Sequence, residues 1–206
     1  LYSQDCSEFE IPLGAHKMGG APDLPPGFVW PRGTDCLDAR GAPIPSDRPA
    51  GFLAQFNLAD IARTQVSQRD GLPKQGLLSF FGFKDPDEDP YKVGAKVVYF
   101  ADTDQVNRTL APERMPRDAQ IIPRKLWLDQ VLDLPEYASG LWDDDLSTLE
   151  WSSDFRDFFE SQREASFLNL LGYPRDMGKD DPTPENWRHF VNLRNGSGDL
   201  LMLQIK

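Results

Sequence analysis

The sequence predicts an α+β fold, mostly antiparallel sheet with a few helices, and two features carry that reading. Short apolar runs recur along the chain, the first two opened by glycine: Gly51-Phe-Leu-Ala-Gln-Phe-Asn57, Gly76-Leu-Leu-Ser-Phe-Phe-Gly-Phe83, Lys96-Val-Val-Tyr-Phe100 and Leu200-Leu-Met-Leu-Gln-Ile205. Runs of that length and composition read as strands, and the second and third are close enough in sequence for an antiparallel hairpin. Helical spacing, by contrast, is confined to a short stretch after Asn57 and to Ser147–Phe167, where Leu149, Phe155, Phe158, Phe159 and then Leu168 fall near the i, i+3, i+4 pattern.

In chain order, Leu1–Lys17 reads as a short helix or an edge strand, since Pro12 excludes a central one. Met18–Pro31 is a stiff loop: Gly19 and Gly20 open backbone conformations closed to other residues, while Pro22, Pro25, Pro26 and Pro31 each lock a φ angle. It holds Leu24, Phe28 and Trp30 at low entropic cost. Gly33–Pro49 is a polar surface excursion. Ala50–Asn57 follows as a strand that is apolar on both sides except at Gln55, and Asn57 caps a short helix over Leu58–Gln65. Gly71–Gln75 is a turn and Lys84–Pro90 an acidic connection. Ile121–Leu128 alternates as a further strand, with Lys125 and Trp127 on one face and Leu126 and Leu128 on the other. Asp129–Asp145 is acidic and supports no assignment. After the helix, Leu170–Pro174 and Met177–Asn186 read as loops, and Asn195-Gly-Ser-Gly198 as a hairpin-like turn before the last strand. One domain over 1–206 accommodates all of this, with two similar halves, 1–101 and 147–206, joined by 102–146.

The two halves share an order of motifs. Gly19-Gly-Ala-Pro22 aligns with Leu171-Gly-Tyr-Pro174, Trp30 with Trp187, and Phe52-Leu-Ala-Gln-Phe56 with Leu201-Met-Leu-Gln-Ile205. Internal duplication and chance likeness among glycines, prolines and apolar strands are both open readings.

The totals bound the function. With 33 acidic against 22 basic residues the formal charge is −11, which repels nucleic acid and anionic membranes and favours basic partners or plain solubility. No run approaches the about 20 apolar residues of a membrane span, so a cytoplasmic setting is the default expectation. Leu1 in place of Met leaves room for an upstream segment. Cys6 and Cys36, the only two cysteines, make no disulfide framework and no metal motif, and whether they pair depends on an oxidising setting.

Catalytic signatures are missing from the text of the sequence. His16 and His189 sit in no metal-ligand spacing, no Gly-x-Ser-x-Gly or phosphate loop occurs, and no cofactor is expected. The acidic runs Asp85–Asp89, Asp143–Asp145 and Asp180–Asp181 lack the ligand spacing of a calcium loop and read as solvated charge. Gln55 and Gln204 stand out more, because an amide inside an apolar strand is costly unless bonded. Each either clamps its own Gly/Pro loop to the sheet or, with Lys17, Trp30 and Tyr173, lines a ligand- or partner-binding cleft. Satisfaction within the fold is the general rule for buried polar groups and favours the clamp. Trp30 likewise either caps the core, the favoured reading, or anchors a partner.

The blocks Gly19–Pro31, Phe52–Asn57, Gly76–Phe81, Val97–Phe100, Leu171–Pro174 and Leu201–Ile205 come in the order found in the YwqG-like family, a mostly bacterial group whose domain has no known function (DUF1963). The resemblance implies an α+β fold built on antiparallel sheet and carries no catalytic residues onto this chain. Relatives beside toxin and immunity genes imply an interaction role, by analogy. Family members usually continue into a final aromatic strand, so the expectation is a chain that is cut short, is disordered beyond its end or has lost that strand. Three functions follow: a soluble binding protein for a basic protein partner, a small-molecule receptor or enzyme with a cleft between the halves, and a structural module of a larger chain.

Overall fold

The computed structural model describes residues 2–38, 41–64, 73–84, 93–128, 168–172, 190–195 and 198–205. Two compact units divide at Leu128: Ser3–Leu128 forms one, and Asp129–Lys206 with the first two residues forms the other. Among the described residues a six-stranded sheet runs in the order β1-β8-β2-β4-β5-β6, antiparallel at every pairing from β8 to β6. Its strands are β1 (Tyr2–Asp5), β2 (Lys17–Met18), β4 (Gly51–Asn57), β5 (Leu77–Lys84), β6 (Val93–Phe100) and β8 (Arg124–Trp127). A two-stranded ladder joins β3 (Asp23–Leu24) to β7 (Asn107–Arg108).

The centre of the sheet is β4, and its sequence explains why. Phe52, Leu53, Ala54, Gln55 and Phe56 are all buried, as a strand covered on both faces requires. It pairs with β2 through Lys17–Gln55 and Met18–Ala54 and with β5 through Gln55–Ser79 and Phe56–Leu78. A register shift between Phe52 and Ala54 places the Leu53 carbonyl where it accepts from Gly19 N at 2.8 Å. Asn57 ends the strand and caps α1 (Leu58–Ala62), its Oδ1 accepting from Ala59 N at 3.0 Å. That cap was legible in the sequence, although the helix stops short of Gln65.

The Gly/Pro loop lies on one face of β4 and β5. Phe81, fully buried, is its hub: Phe28 stacks on it with centroids 6.3 Å apart, while Trp30 and Phe52 meet it edge-on at 5.5 and 5.7 Å. Leu24, Cys36, Ile44, Ala50 and Phe83 complete this core. Gly19 and Gly20 adopt φ of 65° and 67°. A Cβ on Gly19 would meet the Ile122 carbonyl oxygen at 2.5 Å, so both backbone conformation and space demand glycine there.

Several expectations shift. The opening segment does hold an edge strand, β1, but over Tyr2–Asp5 alone; a 3-10 turn at Glu8–Glu10 follows, and Lys17 opens β2. The strand expected over Ile121–Leu128 contracts to β8, since Pro123 offers no donor to a ladder. In the second unit, β9 (Leu168–Gly172), β10 (Phe190–Asn195) and β11 (Gly198–Ile205) form a sheet in the order β10-β11-β9. Leu168, expected on a helix face, and Leu170–Gly172, expected in a loop, are therefore strand residues: their backbone pairs with β11, and that ladder overrides the local pattern. β10 was not foreseen, although the turn after Asn195 was, and Asn195 does pair with Gly198. The helix expected over Ser147–Phe167 lies outside the described residues, as do Tyr173, Trp187 and His189.

The ladders also bear on the motif echo. Extending the aligned loops back by two residues sets Lys17 against Asn169, and the aligned strands set Gln55 against Gln204. The sheets pair Lys17 with Gln55 and Asn169 with Gln204, the same correspondence. The outer neighbours differ, because β5 follows β4 whereas β10 precedes β11.

Phe81→Ala is expected to remove about 3–5 kcal/mol from the stability of the chain, since it empties the hub of the aromatic core. Urea unfolding followed by tryptophan fluorescence measures it; a loss under about 1 kcal/mol would mean the hub is not where the packing energy resides.

Candidate functional site

Two short strands, β2 and β3, bring a lysine and an aspartate under the Gly/Pro loop. Lys17, Asp23 and Gln55 are all fully buried. Buried ions are costly unless paired and hydrogen-bonded, and the geometry meets that demand. The Lys17 ammonium donates to Glu8 Oε1 at 2.7 Å and to the Ala21 carbonyl, lies 3.9 Å from Asp23 Oδ1, and stands 5.8 Å from the centroid of the Phe52 ring. Burial pushes the Lys17 ammonium below its ordinary pKa, opposed by the bond to Glu8 and the charge of Asp23.

Asp23 is the node of the network. Its Oδ2 accepts from Gln55 Nε2 at 2.6 Å and from Gly14 N at 2.8 Å, and its Oδ1 accepts from Arg108 Nε at 2.7 Å. Its backbone N–H donates to Gln55 Oε1 at 2.9 Å. Gln55 Nε2 also donates to the Ala15 carbonyl at 3.0 Å, so this amide spends both its ends on the loop that precedes it. Arg108 fans out from β7: beyond Asp23 it reaches Glu8 Oε1 at 2.8 Å and donates to the carbonyls of Glu8 at 2.6 Å and Ile11 at 2.9 Å. Glu8 Oε2 takes the Ala21 N–H at 3.0 Å. One guanidinium, one ammonium and two carboxylates thus tie residues 8–24 to β4 and β7.

A smaller polar cluster lies beside it. His16 Nδ1 accepts from Asn57 N at 3.0 Å, and its Nε2 is 3.4 Å from Asp60 Oδ2. Asp60 in turn holds Arg63 at 2.8 Å. Burial pushes the His16 pKa down, with Asp60 pulling the other way. Ser79, directly across the ladder from Gln55, is the one described residue whose buried side-chain oxygen has no hydrogen-bond partner. Cys6 and Cys36 are free thiols, and burial pushes Cys36 up to about 12. Among the described residues no cluster of three or more His, Cys, Asp or Glu is placed to hold a metal ion, and no helix is long and apolar enough to cross a membrane.

The family model for a domain of unknown function, DUF1963, matches residues 16–206. The chain belongs to the DUF1963 family. No curated protein and no solved structure is detectably similar to it.

Within this DUF1963 domain the structure brings Lys17 and Gln55 together around Asp23. Trp30 is half-buried against the same core, its Nε1 donating to the Ala50 carbonyl at 2.8 Å. Gln204 lies in β11, in the second unit. Sequence reasoning missed Asp23, Arg108 and Glu8. Asp23 left only a faint signal, a carboxylate among prolines and apolar residues. Arg108, 85 residues further on, left none. Glu8 precedes the part of the chain that the family model matches, yet it bonds both the buried Lys17 and the half-buried Arg108.

Lys17→Met is expected to cost about 3–5 kcal/mol, because it strands buried carboxylate charge; chemical denaturation measures the loss, and a neutral or stabilising result would show that the ion cluster is not a net support. Acidification gives a second test. Burial lowers the His16 pKa in the fold below the 6.5 of the unfolded chain, so the unfolded state gains the proton first. Stability is therefore full above pH 6.5 and declines below it. The part of that decline due to His16 disappears in His16→Gln. An identical pH profile for that variant would remove His16 as its source.

Proposed function

We propose that this DUF1963 chain is a non-catalytic binding module that recognises a basic protein partner. The observation that carries the reading is where polar and apolar groups have gone. Lys17, Asp23, Gln55 and Arg108 bond one another or nearby backbone, whereas Phe9 is 97% exposed and Leu110 is 81% exposed. Large apolar side chains held outward on fixed backbone are a feature of interaction surfaces. The backbone under both is fixed. Phe9 sits in a turn closed by a Ser7–Glu10 capping box, and Arg108, two positions before Leu110, bonds the carbonyls of Glu8 and Ile11, on either side of Phe9.

The net charge of −11 supplies the other half of the argument: it draws basic surfaces in and repels acidic ones. An immunity-type role, neutralising a basic toxin, is one form this activity takes by analogy with the family's gene neighbourhoods. The matched registers of Lys17–Gln55 and Asn169–Gln204 further support a duplicated loop-strand unit.

Affinity capture on immobilised chain is expected to retain a basic protein at low salt and release it at high salt, and the variant Phe9→Ser with Leu110→Ser is expected to retain at least about ten-fold less at unchanged stability. Absence of any specific partner at either salt concentration would overturn the reading.

A further inference from the structure

β6 is the outermost strand on its side of the sheet. It pairs with β5 along its whole length without a bulge, so successive backbone groups point alternately towards β5 and away from it. Leu37 fixes which is which. Its N–H donates to the Ala95 carbonyl at 3.0 Å, and Ala95 N–H donates to the Leu37 carbonyl at 3.0 Å. Ala95 therefore faces outward, and Val97 and Tyr99 share its parity. Among the described residues nothing beyond this one antiparallel bridge pairs with that edge. The usual safeguards of an edge are thin here: no proline and no bulge interrupt Val93–Phe100, and Lys96 is its one charge.

The edge is a firm template. Val98 and Phe100, of the opposite parity, pack against the aromatic core under the Gly/Pro loop, so β6 itself has little left to order when a segment joins it. Its charges lie at its ends. Asp35 and Asp38 flank Leu37 next to Ala95, and the exposed Asp102 and Asp104 follow Phe100, with exposed Lys96 between. A second copy of this chain is a poor fit. Two-fold antiparallel pairing would bring the Asp35 and Asp38 end of each copy onto the Asp102 and Asp104 end of the other, between molecules that each carry −11.

We propose that the Val97–Tyr99 edge of β6 accepts one further antiparallel strand from a partner protein, an extended segment with apolar or hydroxyl residues in its middle and lysine or arginine at its ends. Backbone hydrogen bonds supply the attachment and the flanking carboxylates supply the selectivity. The inference rests on the binding reading above for the sign of the partner's charge, and names a surface apart from Phe9 and Leu110.

The test is amide hydrogen exchange read residue by residue on the whole chain, free and with a synthetic peptide of alternating threonine and valine carrying two lysines at each end. In the free protein the Val97 and Tyr99 amides should exchange quickly while those of Val98 and Phe100 are protected. With peptide, Val97 and Tyr99 should slow by at least about ten-fold. Val97→Pro removes an outward donor and no bond to β5, so it should weaken the peptide by about three- to ten-fold. Protection of Val97 and Tyr99 in the free protein, equal binding of the same peptide with glutamate ends, or a concentration-dependent dimer that protects this edge would each overturn the proposal. Peptide protection confined to residues around Phe9 and Leu110 would also overturn it, while leaving the binding module itself standing. The exchange readout does not depend on the proline variant folding.

Discussion

Asp23 is where the first unit is tied together. Its carboxylate is fully buried and takes bonds from Gln55, Gly14 and Arg108, three groups that belong to the central strand, the N-terminal loop and β7. An unpaired carboxylate in that position would be prohibitively costly, so the three donors and the carboxylate each require the others. The Gly/Pro loop owes its place to this mutual demand. Once Asp23 is fixed, Leu24, Phe28 and Trp30 are carried onto Phe81, and polar clamp and aromatic core reinforce one another across the same few residues.

The same arrangement separates scaffold from surface. Lys17 and Arg108 are spent on Glu8, Asp23 and backbone carbonyls, and their effect outward is mechanical: they hold the Glu8–Glu10 turn and the Asn107–Arg108 strand in place. A histidine joined to an aspartate beside a buried lysine looks, in outline, like chemistry. Here His16 accepts a backbone N–H at the junction of β4 and α1, and Asp60 shares itself with Arg63, which makes the pair a brace for the helix start. Stability near neutrality and rigidity of the exposed loops follow from one set of interactions.

How much of this the sequence disclosed depended on residue spacing. β4 was plain because burial on both faces leaves an uninterrupted apolar run, and Asn57 because a cap follows the strand directly. Gln55 was conspicuous as the single amide in that run, although the groups it bonds, at Ala15 and Asp23, lie 40 and 32 residues earlier. β2, β3 and β7 have two residues each, too few to show any period. Lys17 was visible as a candidate only for a cleft wall, since lysines are rarely fully buried; its true surroundings depend on Glu8 and Asp23, which meet it through tertiary structure. Arg108 gave no signal because its partners lie far back in the chain. β9 was hidden for a different reason: Leu168 fitted a helical stripe, and only the pairing with β11 decides in favour of a strand.

The most direct measurement is a double-mutant cycle between Gln55→Leu and Arg108→Met, with stabilities from urea unfolding. The two side chains bond opposite oxygens of Asp23, so any coupling between them passes through that carboxylate. A coupling energy of about 1–2 kcal/mol is the expected result for members of one buried network. Additivity within about 0.5 kcal/mol would contradict it, and would mean that the loop is held by its aromatic packing alone.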